Sequence, residues 1–423
     1  MAAQDRGDLE QARAILQKLR RLHPGNFAVD ESLGLGYVAE EKFAEALPFL
    51  KAAVREQPAS DAAQANLGAA FYHLHRNAEA LAAFRRAAQF NPSNVATRQS
   101  LGELLLDAGQ PRKAADALAE AMRLKKNDPA LALEYARALI AAGDLDQAQQ
   151  TISDLPGTNT SAEAQALLGE IDEKREKFRG AADHFSRAAE LDPNEANVWA
   201  LAVEFLRHWT FEAAIREFKA GALKFPESTR MKLGLATAYF GDGKYEEAIP
   251  VLAALLHHDR DNHLYAEMLG MTCTAVSSAG KDDCSALIDY ALAHPRDARA
   301  ATYATSLLLT ENAGPAQVAT GRKLLHQAIK TNPTLPEAQY LMGLLRQQDG
   351  DWSGSITNLR AAVAAKPQLA PAHYRLALAY WRTGHKQEAQ LEAALQKKYA
   401  QAQQQDLDRR LREITTFIVD VRR

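Results

Sequence analysis

Phe27 to Pro58, FAVDESLGLGYVAEEKFAEALPFLKAAVREQP, is the stretch on which the reading of this chain turns. Leu33-Gly34 stands three residues before Tyr37, and Ala46, Leu50 and Ala53 follow before Pro58 closes the stretch. The next stretch repeats the pattern with Leu67-Gly68, Phe71, Ala80, Phe84, Ala87 and Pro92, each 34 residues after its counterpart. Self-similarity at a fixed period of this size signals a stacked repeat rather than a domain with one central core.

Within the unit, Val29 to Glu40 and Ala44 to Glu56 carry apolar residues at helical spacing. They are read as helices A and B. Only a short turn joins them, so they pack antiparallel. Gly34 and Ala46 are expected to face each other and let the backbones approach, while Leu33, Tyr37, Phe43, Leu50 and Ala53 fill the seam. Pro58 cannot continue helix B and turns the chain into the next helix A. One pair cannot bury both of its apolar faces, and stacking on neighbours does so.

The order and spacing of these residues resemble the tetratricopeptide repeat, and the resemblance runs over nearly the whole chain. It implies an all-α, right-handed superhelical solenoid of antiparallel helix pairs. It also implies a non-enzymatic scaffold that binds a protein segment or subunit in the concave face of the A helices.

Composition agrees with a folded chain of this kind: 423 residues, 47% apolar and 24% charged. The net charge of −3 gives no basis for a nucleic-acid or membrane surface as the main role. No run approaches the roughly 18 apolar residues of a membrane span. The N-terminus, MAAQDRGDLEQ, lacks the apolar core of a signal peptide, which points to the cytoplasm for the chain as given.

Before the first full unit, Gly7-Asp8-Leu9 reads as a helix–helix turn, and Ala12, Leu16, Leu19 and Pro24 match the second half of a unit. By register most of that unit's helix A is missing. The inference is a parent that starts further upstream, and if a leader is missing there, an exported or periplasmic setting becomes the alternative to the cytoplasm.

The division expected is a half repeat at 1–26, a regular array at 27–261, irregular units at 262–333, further units at 334–400 and an amphipathic helix at 401–423. That makes about eleven and a half units. The fourth unit ends early at Leu155-Pro156-Gly157. Among the irregular units, Asp282-Asp283 replaces a small apolar residue, so helix B must run from Cys284 to His294. The following helix A is expected over Ala298 to Glu311, with a longer turn containing Gly314-Pro315. Cys273 and Cys284 fall across one hairpin; the expectation is two free, buried thiols, with a bridge as the alternative if the α-carbons come within about 7 Å. At the C-terminus Leu407, Leu411, Ile414, Ile418 and Val421 form one apolar stripe, read as a cap on the last unit or as a self-association surface.

No catalytic or cofactor constellation is present: no GxxxxGK[ST], no GxSxG and no HExxH. Gly34-Leu35-Gly36 lies inside a helix and reads as close packing. His257, His258 and His263 cluster at a turn, but nothing beside them has clear ligand spacing, so no metal is assigned. Two rival roles stand beside the scaffold. One is a structural spacer or assembly platform acting through the terminal helix, and the other an enzyme sited in the irregular units.

The resemblance also suggests a surface. In this family the second, fifth, ninth, twelfth and thirteenth positions of each helix A line the groove. By register these include Tyr72, Trp199, Phe240, Tyr340, Tyr374 and Trp381, aromatic rings of the kind that anchor interfaces. Glu163, Glu170 and Glu173 add a small acidic patch. The family's two-carboxylate clamp needs lysine and asparagine at the fifth and ninth positions, and pairs such as Glu31/Leu35 and Trp199/Val203 do not supply them.

Overall fold

A computed structural model describes residues 9–276, 282–310 and 313–421, with side chains placed as far as Gln405. Helix accounts for 81% of the described residues, and none of them lies in a strand. Among them are 23 α-helices: Leu9–Leu22, then eleven consecutive A/B pairs beginning with Phe27–Ala39 and Phe43–Glu56. The fold is an all-α solenoid of antiparallel helix pairs. The chain divides into two compact units, Met1–Pro193 and Asn194–Arg423, each taken by itself below.

Three local devices recur with the repeat. Each begins in the sequence. The first is the start of helix A. Asn26, Ser60, Asn94, Asp128, Ser161, Asn194, Ser228, Asn262 and Asp297 each cap one, their side chains accepting a backbone N–H from the first turn. Such a cap satisfies a donor that has no partner inside the helix. The last two A helices instead carry proline in their first turn.

The second device is the turn from A to B. The Lys42 N–H donates to Tyr37 O at 2.9 Å, and the same five-residue bond joins Arg76 to Phe71 and His385 to Tyr380. This closure needs one residue in the left-handed region. Gly109, Gly143, Gly243, Gly350 and Gly384 supply it, but Glu41, His75, Glu176 and Trp209 occupy it at φ of 57–60°. A side chain there is strained, so these four turns are held by the packing around them.

The third device is close A–B contact. A Cβ added to Gly34 would stand 2.5 Å from Leu50 Cδ2, and one on Gly343 would stand 2.7 Å from Leu359 Cγ. A Cβ on Gly102 or Gly169 would stand 2.5 or 2.8 Å from Leu118 or Phe185, and one on Gly68 would stand 3.1 Å from Phe84. The large residue 16 positions on therefore sits over the glycine, whereas Ala46 is simply buried beside it. Of the expected seam residues, Leu33, Leu50 and Ala53 are buried. Tyr37 stacks on Phe49, and Phe43 stacks on His73 of the next helix A at 4.2 Å. Phe43 thus ties successive pairs together.

A buried polar latch joins consecutive elements at the fourth position of helix A. The side-chain nitrogens of Gln64, Gln339 and His373 meet the carbonyl oxygens of Pro58, Pro333 and Pro367 at 3.1, 2.7 and 2.8 Å. Arg98 does the same to Pro92. On its other side the latch holds helix B: Asn358 donates to Gln339, His184 meets Gln165, and His373 Nδ1 lies 2.5 Å from Glu392.

The irregular region departs from the pattern in a specific way. Its helix B is only Ser285–Ala293, preceded by a 3-10 turn at Asp282–Cys284. Gly270 does not meet helix B; a Cβ there would strike Tyr303 of the next helix A at 2.5 Å. Cys273 and Cys284 are bonded as a disulfide with Cα atoms 6.1 Å apart. This corrects the expectation of free thiols. Both cysteines are buried, and the hairpin brings the two backbones inside bridging range. The following helix A ends at Leu308, short of the expected Glu311, which lies outside the described residues, and its helix B starts at Pro315. The last helix runs without interruption from Lys386 to Val421. The stripe Leu407, Leu411, Ile414, Ile418 and Val421 lies outside the residues whose side chains are described.

Candidate functional site

In the unit Met1–Pro193 the A helices are cross-linked side by side by polar contacts. Tyr72 Oη donates to Asp107 Oδ2 at 2.7 Å, Gln99 Nε2 to Glu134 Oε1 at 2.7 Å, and Arg137 to Glu163 at 2.5 Å. The Asp107 bond, with partial burial second, pushes the Tyr72 phenol up to about 12. Tyr72 is therefore half-buried and engaged within the array. The acidic patch is partly neutralised by the Arg137–Glu163 pair. The Glu170 carboxylate reaches solvent yet is surrounded by protein. Desolvation raises it, and Arg137 and Lys174 offset part of that rise.

In the unit Asn194–Arg423 the predicted rings divide into two sets. Trp199 lies edge-on to Phe218 at 5.4 Å with the Arg230 guanidinium 5.4 Å above it. Phe240 lies edge-on to Tyr245 at 5.3 Å. Both are half-buried. Tyr340 is half-buried on helix Pro336–Gln348. Tyr374 and Trp381 are 57% and 61% exposed. They stand seven residues apart on helix Ala370–Arg382, which is two turns or about 10.5 Å along one face. Tyr340 is the repeat counterpart of Tyr374, so the three rings occupy neighbouring A helices.

His257, His258 and His263 are all exposed at their turn. The position-four latch is what sequence reading missed. Its signal was a polar residue recurring at one register position of an otherwise apolar face: Gln64, Arg98, Gln165, Gln339 and His373.

Among the described residues no helix is long and apolar enough to cross a membrane. No curated protein matches the chain in sequence. Among solved structures it is similar to a tetratricopeptide repeat protein from Parabacteroides merdae, at 16% identity and a TM-score of 0.48, over 58% of this chain and 98% of that one. It is also similar to YrrB, described as a TPR protein with an unusual peptide-binding site, at 20% identity and a TM-score of 0.40, over 45% and 97%. A third is PilF of Pseudomonas aeruginosa, at 22% identity and a TM-score of 0.38, over 46% and 90%. Models of the tetratricopeptide repeat match residues 1–26, 31–95, 105–171, 210–271 and 340–405. With these matches covering well over half of the chain and eleven helix pairs in the array, the chain belongs to the tetratricopeptide repeat family.

Proposed function

We propose that this chain is a non-enzymatic scaffold that binds a segment of another protein along its A helices, with Tyr374 and Trp381 as the main anchors. Tetratricopeptide repeat proteins generally mediate protein–protein interaction. The observation that carries the reading here is the pair of large rings left more than half exposed on one face of one helix. Burying rings of this size in a partner yields much of the energy of a typical interface. Trp199 and Phe240 in the same unit, and Tyr72 in the unit Met1–Pro193, are assigned a smaller share, because each already has partners inside its own unit.

The test is affinity capture with the wild-type chain and with Trp381→Ala and Tyr374→Ala, followed by calorimetry on the captured protein. Each substitution is expected to weaken binding by about 2 kcal/mol. Unchanged affinity with a lowered melting temperature would show that these rings only hold the repeats together.

An assembly role through the terminal helix is the second reading, supported by the uninterrupted 36 residues of Lys386–Val421. Deleting Leu407 to Arg423 separates the cases: a halved mass in light scattering favours self-association, and lost stability at unchanged mass favours a cap.

A further inference from the structure

We infer that the face of Tyr374 and Trp381 recognises an acidic segment: an extended stretch of a partner protein that carries a large apolar side chain next to carboxylates. This rests on the scaffold reading above and goes on to name the chemistry of the partner.

Three observations lead there. The first is the sign of the charge. Helix Ala370–Arg382 contains no carboxylate, and its cations are Arg375 and Arg382. On the adjacent helix Pro336–Gln348 the one carboxylate, Glu337, is held by Lys366 at 2.8 Å. Among the described residues neither Arg375 nor Arg382 has a carboxylate partner. The second is position. The Arg375 guanidinium lies 5.9 Å from the Tyr374 ring centroid, and Arg382 follows Trp381 and stands 5.6 Å from the Trp352 ring centroid. Tyr374 thus has a cation without a carboxylate partner beside its ring, and Arg382, seven residues after Arg375, continues the positive charge along the same helix to its end.

The third is hydrogen-bonding capacity. Indole N–H and guanidinium only donate, and a phenol can donate. The face is therefore rich in donors over an apolar floor, to which Leu378 contributes between the two rings. A carboxylate satisfies such donors through charge-assisted bonds, while an apolar side chain fills the space between the rings. The arrangement differs from the family's two-carboxylate clamp, whose lysine and asparagine positions are occupied here by Tyr374 and Leu378. Stacked aromatics beside arginine also suit single-stranded nucleic acid. The leucine between the rings offers no stacking surface and favours the peptide.

The experiment uses the full chain and fluorescence anisotropy of labelled peptides of about a dozen residues, each with a central Phe and Leu. One is flanked by Asp and Glu, the other by Lys. The acidic peptide is expected to bind the wild-type chain about tenfold more tightly or better, the scale of one charge-assisted contact. Arg375→Glu with Arg382→Glu should reverse the preference, and Arg375→Gln with Arg382→Gln, which adds no new charge, should abolish it. Trp381→Ala should weaken both peptides. Equal binding of the two peptides, with loss on Trp381→Ala, overturns the acidic partner and leaves the scaffold reading standing. Binding of either peptide that ignores both Trp381→Ala and Tyr374→Ala overturns both readings. No binding of either peptide, or tighter binding of oligothymidylate than of the acidic peptide, overturns the inference.

Discussion

The side-chain amide of Gln339 donates to the carbonyl oxygen of Pro333 at 2.7 Å, six residues back across the turn that joins two repeats. The same amide oxygen accepts from Asn358 Nδ2 at 2.5 Å. One buried residue therefore ties the end of one helix pair to both helices of the next. Gln339→Leu would keep the volume and leave a carbonyl and an amide without a partner. The expected loss is about 1–3 kcal/mol in a urea unfolding experiment. Gln339→His should retain more of the stability, because His373 makes the equivalent bond to Pro367.

Gly343→Ala sets two effects against each other. Alanine gains about 1 kcal/mol in helix propensity over glycine. Its methyl group would stand 2.7 Å from Leu359 Cγ, and Leu359 is fully buried. Overpacking of this kind costs about 1–3 kcal/mol, so a net loss is expected. Leu359→Ala alone should destabilise by about 2–5 kcal/mol. Added to Gly343→Ala it should cost less than the sum, a coupling that a double-mutant cycle measures.

The Tyr72 phenol, held up to about 12 by Asp107, gives a prediction for alkaline pH. A phenol whose proton is bound more tightly in the folded state stabilises that state below its unfolded value near 10. That contribution is lost as pH rises from about 10 towards 12. Tyr290, pushed to about 12 by burial and by Asp297, behaves the same way in the irregular region. Absorbance at alkaline pH should show late-titrating tyrosines, one fewer in Tyr72→Phe. The variant should also lose part of the alkaline fall in stability.

The Cys273–Cys284 bridge predicts no free thiol in the unfolded, unreduced chain. Two thiols per chain would reject it. The bond closes a short loop, with a sequence separation of 11, and reduction is expected to cost about 3 kcal/mol on the chain-entropy view. The loss should appear as a lower melting temperature with reductant in the wild type and no such change in Cys273→Ser with Cys284→Ser.

The four side chains in left-handed turns offer a gain. Glu176 sits at φ 59° where other repeats place glycine. Glu176→Gly should raise stability by up to about 1 kcal/mol, offset by the greater freedom of glycine in the unfolded chain. Thermal unfolding of the variant decides the sign.

How much of this was present in the residues differs from one feature to the next. The 34-residue recurrence of Leu-Gly, Ala, Leu or Phe, Ala and Pro determined the fold class by itself. A small residue, a large one 16 places on and a helix-stopping proline admit close antiparallel pairs and little else. The number of units and the shortened helix B after Cys284 followed from the same register, because each depends on neighbours in the chain. Contacts between repeats could not be read that way. Whether a tyrosine at the same groove register serves a partner or the next helix depends on what stands across from it. Tyr72 found Asp107, while Tyr374 found no such carboxylate and kept most of its ring in solvent. The bridge between Cys273 and Cys284 was decided in the same way, by a hairpin whose backbones approach to 6.1 Å. Spacing along a chain limits which residues can meet, and only the packed geometry settles which of them do.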